Sequence, residues 1–154
     1  MNNKGFTTIE LVLTIVLVII IMGTITNVTY TYRDTASYEE TKTSIINYKN
    51  TLTKIIYDDI FLEKVVSIEE VNNDNISLIK ENGDKIELSL INLENEVGIL
   101  YNGVKYIIPE SDDGLIVMKG MNVKRNDEIK MYTVDIIFHH IVLETDYSIH
   151  FMVS

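Results

Sequence analysis

One charged side chain, Glu10, lies inside a long apolar stretch near the start of the chain. Every other residue from Phe6 to Ile25 is uncharged, and most of them are aliphatic. A helix of about 20 such residues crosses the hydrocarbon core of a bilayer. A carboxylate there costs about 2.5–3.5 kcal/mol on insertion scales and marks a functional site by default. We therefore expect Glu10 to pair with a positive charge; the alternative is that it snorkels to the membrane interface.

The three histidines are the next group that could do chemistry. His139 and His140 are adjacent in a predicted strand, so their side chains point to opposite faces. His150, from the facing strand, could bring two imidazoles together, but a metal site needs at least one more ligand. We therefore predict no bound metal and expect paired or exposed histidines.

Two acidic groups also offer oxygen ligands: the pair Asp58-Asp59 and the loop 110–114. Adjacent helical side chains point about 100° apart, so we expect Asp58 and Asp59 to be solvated, with a local contact. The loop has the hard ligands that calcium prefers, but its spacing follows no calcium-loop rule. We predict an acidic turn at 110–114, with calcium binding as the alternative.

Composition excludes several classes of function. The 154-residue chain has no cysteine, which rules out disulfides, thiol catalysis and cysteine-ligated metals. It has no phosphate loop, nucleophile elbow or zinc-binding helix motif, so we predict that it is not an enzyme and needs no cofactor. With 23 acidic and 13 basic residues, its formal net charge is −10. We expect no direct nucleic-acid binding, since phosphate contacts need clustered Lys and Arg.

The ends of the apolar stretch indicate how it would lie in a membrane. Lys4 is the only charged residue before it, which by the positive-inside tendency leaves the N-terminus in the cytoplasm. Tyr30 and Tyr32 follow it, as is typical where a helix reaches the headgroups. The residues after Gly23 do not form the small-residue cleavage site of a secretory signal peptide. We predict a retained transmembrane helix over residues 6–29.

An amphipathic pattern follows the apolar stretch. Residues 34–66 contain no glycine or proline, and their apolar residues recur at helical spacing. The apolar stripe consists of Tyr38, Ile45, Tyr48, Leu52 and Ile55. We predict that the helix continues through residues 30–66 and lies with this stripe on a sheet.

Period-two patterns and turn residues dominate residues 67–154. The predicted hairpins pair strands 76–80 with 86–90, 99–101 with 104–108 around Asn102-Gly103, and 131–143 with 147–153 around Thr145-Asp146. We also predict a short strand at 115–118 and an irregular segment at 121–128. One long helix followed by antiparallel strands predicts an α+β fold with a single extracytoplasmic sheet domain.

The residues around Glu10 resemble a known processing signal. A short head with one basic residue precedes Gly5-Phe6-Thr7, and Ile9-Glu10-Leu11 leads into the aliphatic run. The pattern resembles the class III signal of type IV pilins and pseudopilins, which has a cleavage glycine, a phenylalanine after it and a glutamate early in the mature chain. The resemblance covers residues 1 to about 30, roughly a fifth of the chain.

This resemblance implies a defined processing path. A prepilin peptidase would remove residues 1–5 by cutting after Gly5, and the new amine of Phe6 would be methylated. Glu10 would then neutralise the N-terminal amine of a neighbouring subunit. Opposite charges in contact attract far more strongly in a low-dielectric helix bundle than in water, so the pair would reward one axial offset between subunits.

The resemblance also implies a fold, a location and partners. The fold would be pilin-like, one long N-terminal helix packed on an antiparallel β-sheet. The chain would span the cell membrane once, in contact with lipid, and later join a pilus or pseudopilus at the cell surface. Its partners would be the prepilin peptidase, other pilin subunits, and the assembly ATPase and platform protein of the system.

Two departures from the pattern bear on the type of subunit. Major pilins usually have a glycine and a proline further along the apolar helix, where this chain has Ile19 and Asn27. Without these breakers we expect a straighter helix that melts less easily. This favours a minor pilin or pseudopilin. The alternative is a single-pass, membrane-anchored domain that binds a ligand or regulates a neighbour without polymerising.

Overall fold

The structure, a computed structural model, describes residues 7–109 and 111–154, without the side chain of Asp112. The chain divides into two compact units, residues 1–40 and 41–154. Helix α1, Thr8–Leu62, begins in the first unit and ends in the second.

In the first unit, α1 covers residues 8–40, and all the described residues, 7–40, are exposed. Aliphatic residues surround the helix, and no proline interrupts it. In the described part of the chain, α1 is the one helix long and apolar enough to cross a membrane. An apolar surface on all sides is typical of a helix that packs in lipid or among other helices. The predicted apolar helix is thus present from Thr8 onward.

The end of α1 differs from the prediction, because the helix ends at Leu62 and does not reach Val66. Lys64 has a φ of 49°, a left-handed conformation that stops a helix. The two β-branched residues that follow, Val65 and Val66, begin strand β1, which spans Val65–Asn72. A strand therefore begins before the predicted boundary at residue 67.

Five strands form the first sheet, in the order in which they occur along the chain. All neighbouring strands are antiparallel. After β1 they are β2 Asn75–Lys80, β3 Lys85–Leu93, β4 Glu96–Tyr101 and β5 Val104–Ile107. The hairpins β2–β3 and β4–β5 confirm two predictions. At the β4–β5 turn, Asn102 and Gly103 both have positive φ, as the Asn-Gly pair predicts.

Three antiparallel strands form a second sheet, so the domain has two sheets where we predicted one. They are β6 Ile116–Asn126, β7 Met131–His140 and β8 Thr145–Val153. The prediction of an irregular segment at 121–128 is wrong, because β6 continues to Asn126 after a register shift between Met118 and Gly120. The β7–β8 hairpin is confirmed, but Thr145 and Asp146 lie in β8 and not in its turn.

The core of the second unit joins α1 to both sheets. The buried helix residues are Ile45, Leu52 and Ile56, and Tyr48 and Ile55 pack against this core. The predicted stripe is therefore right at four of its five positions, while Tyr38 is exposed. The sheets contribute Ile76, Leu78, Ile86, Leu88, Ile99, Val134, Ile136, Phe138, Ile149 and Phe151. Each such side chain contributes about 1.5–3 kcal/mol when fully buried. The fold is therefore α+β, with the helix packed on antiparallel sheets.

Tyr48 links the helix to both sheets. Its hydroxyl donates a hydrogen bond of 2.8 Å to the backbone oxygen of Tyr106 in β5. Its ring and that of Phe138 in β7 form a T-shaped contact at a centroid distance of 6.4 Å. Burial raises the pKa of the Tyr48 hydroxyl, which keeps this donor protonated.

Candidate functional site

Glu10 lies in the first turn of α1 and is held there by Thr7. Its Oε2 accepts hydrogen bonds from the backbone N–H and the hydroxyl of Thr7, both at 2.8 Å. The backbone N–H of Glu10 in turn points at Thr7 Oγ1, at 3.3 Å. These reciprocal bonds form a capping box.

The capping box gives Glu10 a local role that the sequence analysis missed. The first four N–H groups of a helix have no partner within the helix, and the box satisfies two donors at this end. Loss of such a cap typically costs about 0.5–2 kcal/mol. The Thr-x-x-Glu spacing of Thr7 and Glu10, directly before an apolar run, was the signal that could have revealed it.

The surface around Glu10 is apolar. Leu13, Leu17 and Ile21 follow it along the helix, and each is about half exposed. The two bonds from Thr7 both fall on Oε2, so Oε1 can accept a bond from outside the chain. A single carboxylate in such a setting suits the binding of a cation, especially an ammonium group that brings its own hydrogen-bond donors.

Gly5 and Phe6, the predicted cleavage and methylation sites, lie outside the described residues. Their roles and the pairing of Glu10 with a neighbour's amine stay predictions. Lys4 and the rest of the leader, residues 1–5, also lie outside them.

The helix is continuous through Ile19 and Asn27, the positions where helix breakers were expected in a major subunit. Threonines beyond Ile19 satisfy their hydroxyls within the helix. Each donates to the carbonyl four residues earlier, at 2.8–3.0 Å: Thr24, Thr26, Thr29, Thr31 and Thr35. Polar groups bonded in this way can enter an apolar environment at low cost.

The histidines of the second sheet each have a different neighbour. His139 Nδ1 lies 2.7 Å from Asp146 Oδ1, and His150 Nδ1 lies 2.7 Å from Asp135 Oδ1. His140 is buried, and its Nδ1 accepts a bond of 3.2 Å from the N–H of Leu143. The predicted opposite orientation of His139 and His140 is confirmed.

The strand register separates His150 from the other histidines. Across β7 and β8 its partner is Asp135, whereas Asp146 is the partner of His139. The suggestion that His150 could bring two imidazoles together is therefore wrong. Within residues 7–109 and 111–154, no group of three His, Asp or Glu side chains is placed to hold a metal ion.

Of the two His–Asp contacts, the one at Asp146 is the more extensive, because Asp146 also contacts Lys119. Lys119 Nζ lies 2.7 and 2.8 Å from its two oxygens. The bond from Lys119, followed by that from His139, lowers the pKa of the Asp146 carboxyl. The contact is on the surface, so it stabilises the sheet modestly.

The other acidic candidates are less organised. Asp58 is exposed, while Asp59 is half-buried; burial of the Tyr101 hydroxyl, followed by the charge of Asp59, raises the pKa of that hydroxyl. In the loop 110–114, Ser111–Asp113 form a short 3-10 helix and Gly114 has a φ of 67°. Glu110 and the Asp112 side chain lie outside the described residues, so calcium binding there stays untested.

The described geometry thus points to one functional group, a carboxylate fixed at the start of an apolar helix. Comparisons with known protein families, with characterised proteins and with solved structures gave no match to this chain.

Proposed function

We propose that the chain is a minor pilin or pseudopilin, a structural subunit that is inserted in the membrane, processed and then polymerised. A prepilin peptidase cleaves after Gly5, and the amine of Phe6 becomes methylated. The apolar part of α1 then packs in the filament core, and the strand-rich unit forms the remaining part of the subunit.

One observation carries this proposal: Glu10 is the single charged residue in the first part of α1, residues 8–32, which is mostly aliphatic and exposed on all sides. Cleavage after Gly5 would place a positive amine on Phe6, four residues before Glu10. An apolar helix with one carboxylate and one nearby amine is complementary to a shifted copy of itself. Such a pair is favourable only when both charges are present, because each alone is penalised by desolvation.

The capping box fits this mechanism as the state of Glu10 before assembly. Thr7 supplies two neutral donors to the carboxylate, which lowers the cost of its position in an apolar helix. A neighbour's amine offers a charge-assisted bond, roughly twice as strong as a neutral one. We propose that Oε1 receives this amine while Oε2 keeps its bonds to Thr7.

The continuous helix supports a minor subunit over a major one. With Ile19 and Asn27 in place of breakers, and threonine hydroxyls bonded within the helix, α1 has no proline or glycine at the positions where major pilins usually carry them. A helix of this kind resists local melting during packing.

The decisive experiment is to determine the mature N-terminus in cells with an active prepilin peptidase. We expect mass spectrometry to find Phe6 as the first residue, with a methylated amine. Gly5→Ala serves as the matched control and should leave the leader attached. An intact residue 1–5 leader on the wild-type chain would overturn the proposal and favour a permanently anchored domain.

The amount of this chain in sheared surface filaments tests the minor-subunit assignment separately. A dominant band there would overturn that assignment.

A further inference from the structure

The part of α1 within residues 41–57, here called the basic helix segment, contains basic residues but no acidic residue. It contains Lys42, Lys49 and Lys54. Lys54 is exposed, and the other two are half-buried. Within the described part of the chain, none of the three makes an ion pair.

The lysines of the first sheet and its turns behave differently. All four are in ion pairs of 2.6–3.3 Å: Lys64 with Glu81, Lys80 with Glu63, Lys85 with Glu69 and Lys105 with Glu96. The fold therefore gives the lysines of the first sheet and its turns acidic partners and leaves the helix lysines without one. The basic helix segment thus offers positive charge to a partner from two sides of the helix, since at 100° per residue Lys54 lies about 120–140° from Lys42 and Lys49.

Next along the chain lies a region with the opposite excess, residues 58–113, here called the acidic region. It has 14 acidic residues against 4 lysines. Since all four lysines are already paired, ten of its acidic residues exceed the local supply of positive charge. Exposed members that make no ion pair among the described residues are Asp58, Glu70, Asp74, Asp84, Glu87, Glu94 and Asp113.

We infer that the basic helix segment of one copy docks on the acidic region of a second copy of this chain. The inference rests on the proposed function and deepens it by naming a contact between subunits outside the membrane. Charge complementarity selects this partner, since the same chain carries both helix lysines without an ion pair and an acidic surplus. The second sheet is a poorer partner, because residues 115–154 have five acidic and four basic residues.

Such a contact has two consequences for assembly. A chain with a net charge of −10 repels its copies at long range, so the local contact must supply the attraction that keeps subunits in register. The two surfaces are also different, so a staggered pair leaves one of each unoccupied at its ends. Contacts of this heterologous kind can continue into a filament.

Zero-length cross-linking tests the contact on the full chain. Equal amounts of ¹⁵N-labelled and unlabelled chain are mixed in detergent micelles and treated with a carbodiimide, which joins lysines to carboxylates that touch. We expect mixed-isotope peptides that link Lys42, Lys49 or Lys54 to residues 58–113. Links confined to one isotope, or mixed links that reach only residues 115–154, would overturn the inference.

Charge reversal supplies the second test. Because the charge-reversed variant lacks the amines that the carbodiimide joins, association is measured as energy transfer between donor-labelled and acceptor-labelled copies in micelles. The triple variant Lys42→Glu, Lys49→Glu, Lys54→Glu should lower this transfer by about ten-fold or more, since attraction becomes repulsion. The matched control, Lys64→Glu, Lys124→Glu, Lys130→Glu, has the same net charge and should keep the energy transfer within about two-fold. Lys54→Glu alone reverses an exposed charge, so a several-fold loss is expected even if the triple variant folds poorly. Equal losses in the test and control triples would contradict the inference.

Two further readouts distinguish this contact from lipid binding and from a failure of processing. The yield of mixed-isotope links should fall as salt rises from about 0.01 M to 1 M, where the Debye length drops from about 30 Å to about 3 Å. Binding to anionic phospholipid vesicles that the triple reversal abolishes, with no mixed-isotope links, would assign the lysines to lipid instead. If the wild-type leader is never cleaved, the proposed function fails; if processing is normal but the links are missing, only this contact fails.

Discussion

The two units of the chain differ in whether their side chains find partners within the unit. In residues 41–154, apolar side chains from the helix and both sheets bury one another, and most sheet lysines have acidic partners. In residues 7–40, apolar side chains remain exposed, and only local bonds such as the capping box are made. The second unit contains what it needs for its own stability, whereas the first presents a surface that requires lipid or other helices.

The largest expected effect tests the buried core of the second unit, with two of its phenylalanines. Phe138 is fully buried and stacks on Tyr147 at 5.6 Å, whereas Phe61 near the end of α1 is 83% exposed. We expect Phe138→Ala to lower the free energy of unfolding by about 3–5 kcal/mol, through lost burial and a cavity. Phe61→Ala should change it by less than about 0.5 kcal/mol. Urea unfolding of the full chain in micelles measures both, and equal losses would contradict the assigned core.

A glycine pair gives the next largest effect, with opposite signs in the two units. A Cβ on Gly98 in β4 would collide with the backbone of Tyr106 in β5. Gly98→Ala should therefore destabilise the first sheet by about 1–3 kcal/mol. At Gly23 a Cβ meets nothing within 4 Å, so Gly23→Ala should strengthen α1 by about 0.5–1 kcal/mol. Unfolding curves followed by circular dichroism report both changes, and destabilisation by Gly23→Ala would indicate a neighbour that the single chain lacks.

Glu10 allows the local and intermolecular roles of the first unit to be separated. Glu10→Gln removes the charge but keeps a side chain that can complete the capping box, whereas Glu10→Ala removes both. If the charge pair drives assembly, both variants should be inserted and cleaved normally, yet reach sheared filaments at about a tenth of the wild-type level or less. Immunoblots of filament and membrane fractions measure this.

The pattern across the Glu10 variants decides between the two roles. Normal incorporation of Glu10→Gln with loss of Glu10→Ala would assign the function to the cap and refute the charge pair. Thr7→Val completes the set, since it removes the hydroxyl and keeps the carboxylate. Its incorporation should fall less than that of Glu10→Gln if the amine is the main partner of Glu10.

Much of the fold could be predicted because its signals are local. The Asn102-Gly103 turn fixed one hairpin, and the seven-residue spacing of Ile45 and Leu52 identified the buried helix face. Strand β1 was missed because Val65 and Val66 continue the apolar pattern of the helix, while the helix end depends on the backbone of Lys64. The extension of β6 was missed because Gly120 reads as a break, yet the strand passes it with a bulge.

The candidate site was predictable only in part. Glu10 stands out by its charge alone, and its bond to Thr7 follows a known spacing. Its proposed partner belongs to another copy and exists only after cleavage, so neither periodicity nor composition of one chain contains it. The His–Asp contacts depend on the register of β7 and β8. The prediction placed the turn at Thr145 and Asp146, which in fact lie in β8, and so it missed these contacts.

The smallest expected effect concerns the stability of the second unit at acid pH, and it tests whether the surface contacts of Asp146 contribute to that stability. The ion contacts of Asp146 favour its ionised form, so its pKa is lower in the folded chain than the ordinary 3.8. Its stabilisation is therefore present above pH 3.8 and is lost as the pH falls through the lower, folded-state value. Asp146→Asn should flatten the acid side of a plot of urea midpoint against pH. Asp74→Asn, at an exposed carboxylate without an ion pair among the described residues, is the matched control. An unchanged acid slope in Asp146→Asn would show that the Lys119 and His139 contacts contribute nothing measurable, leaving the buried core as the main source of stability in this unit.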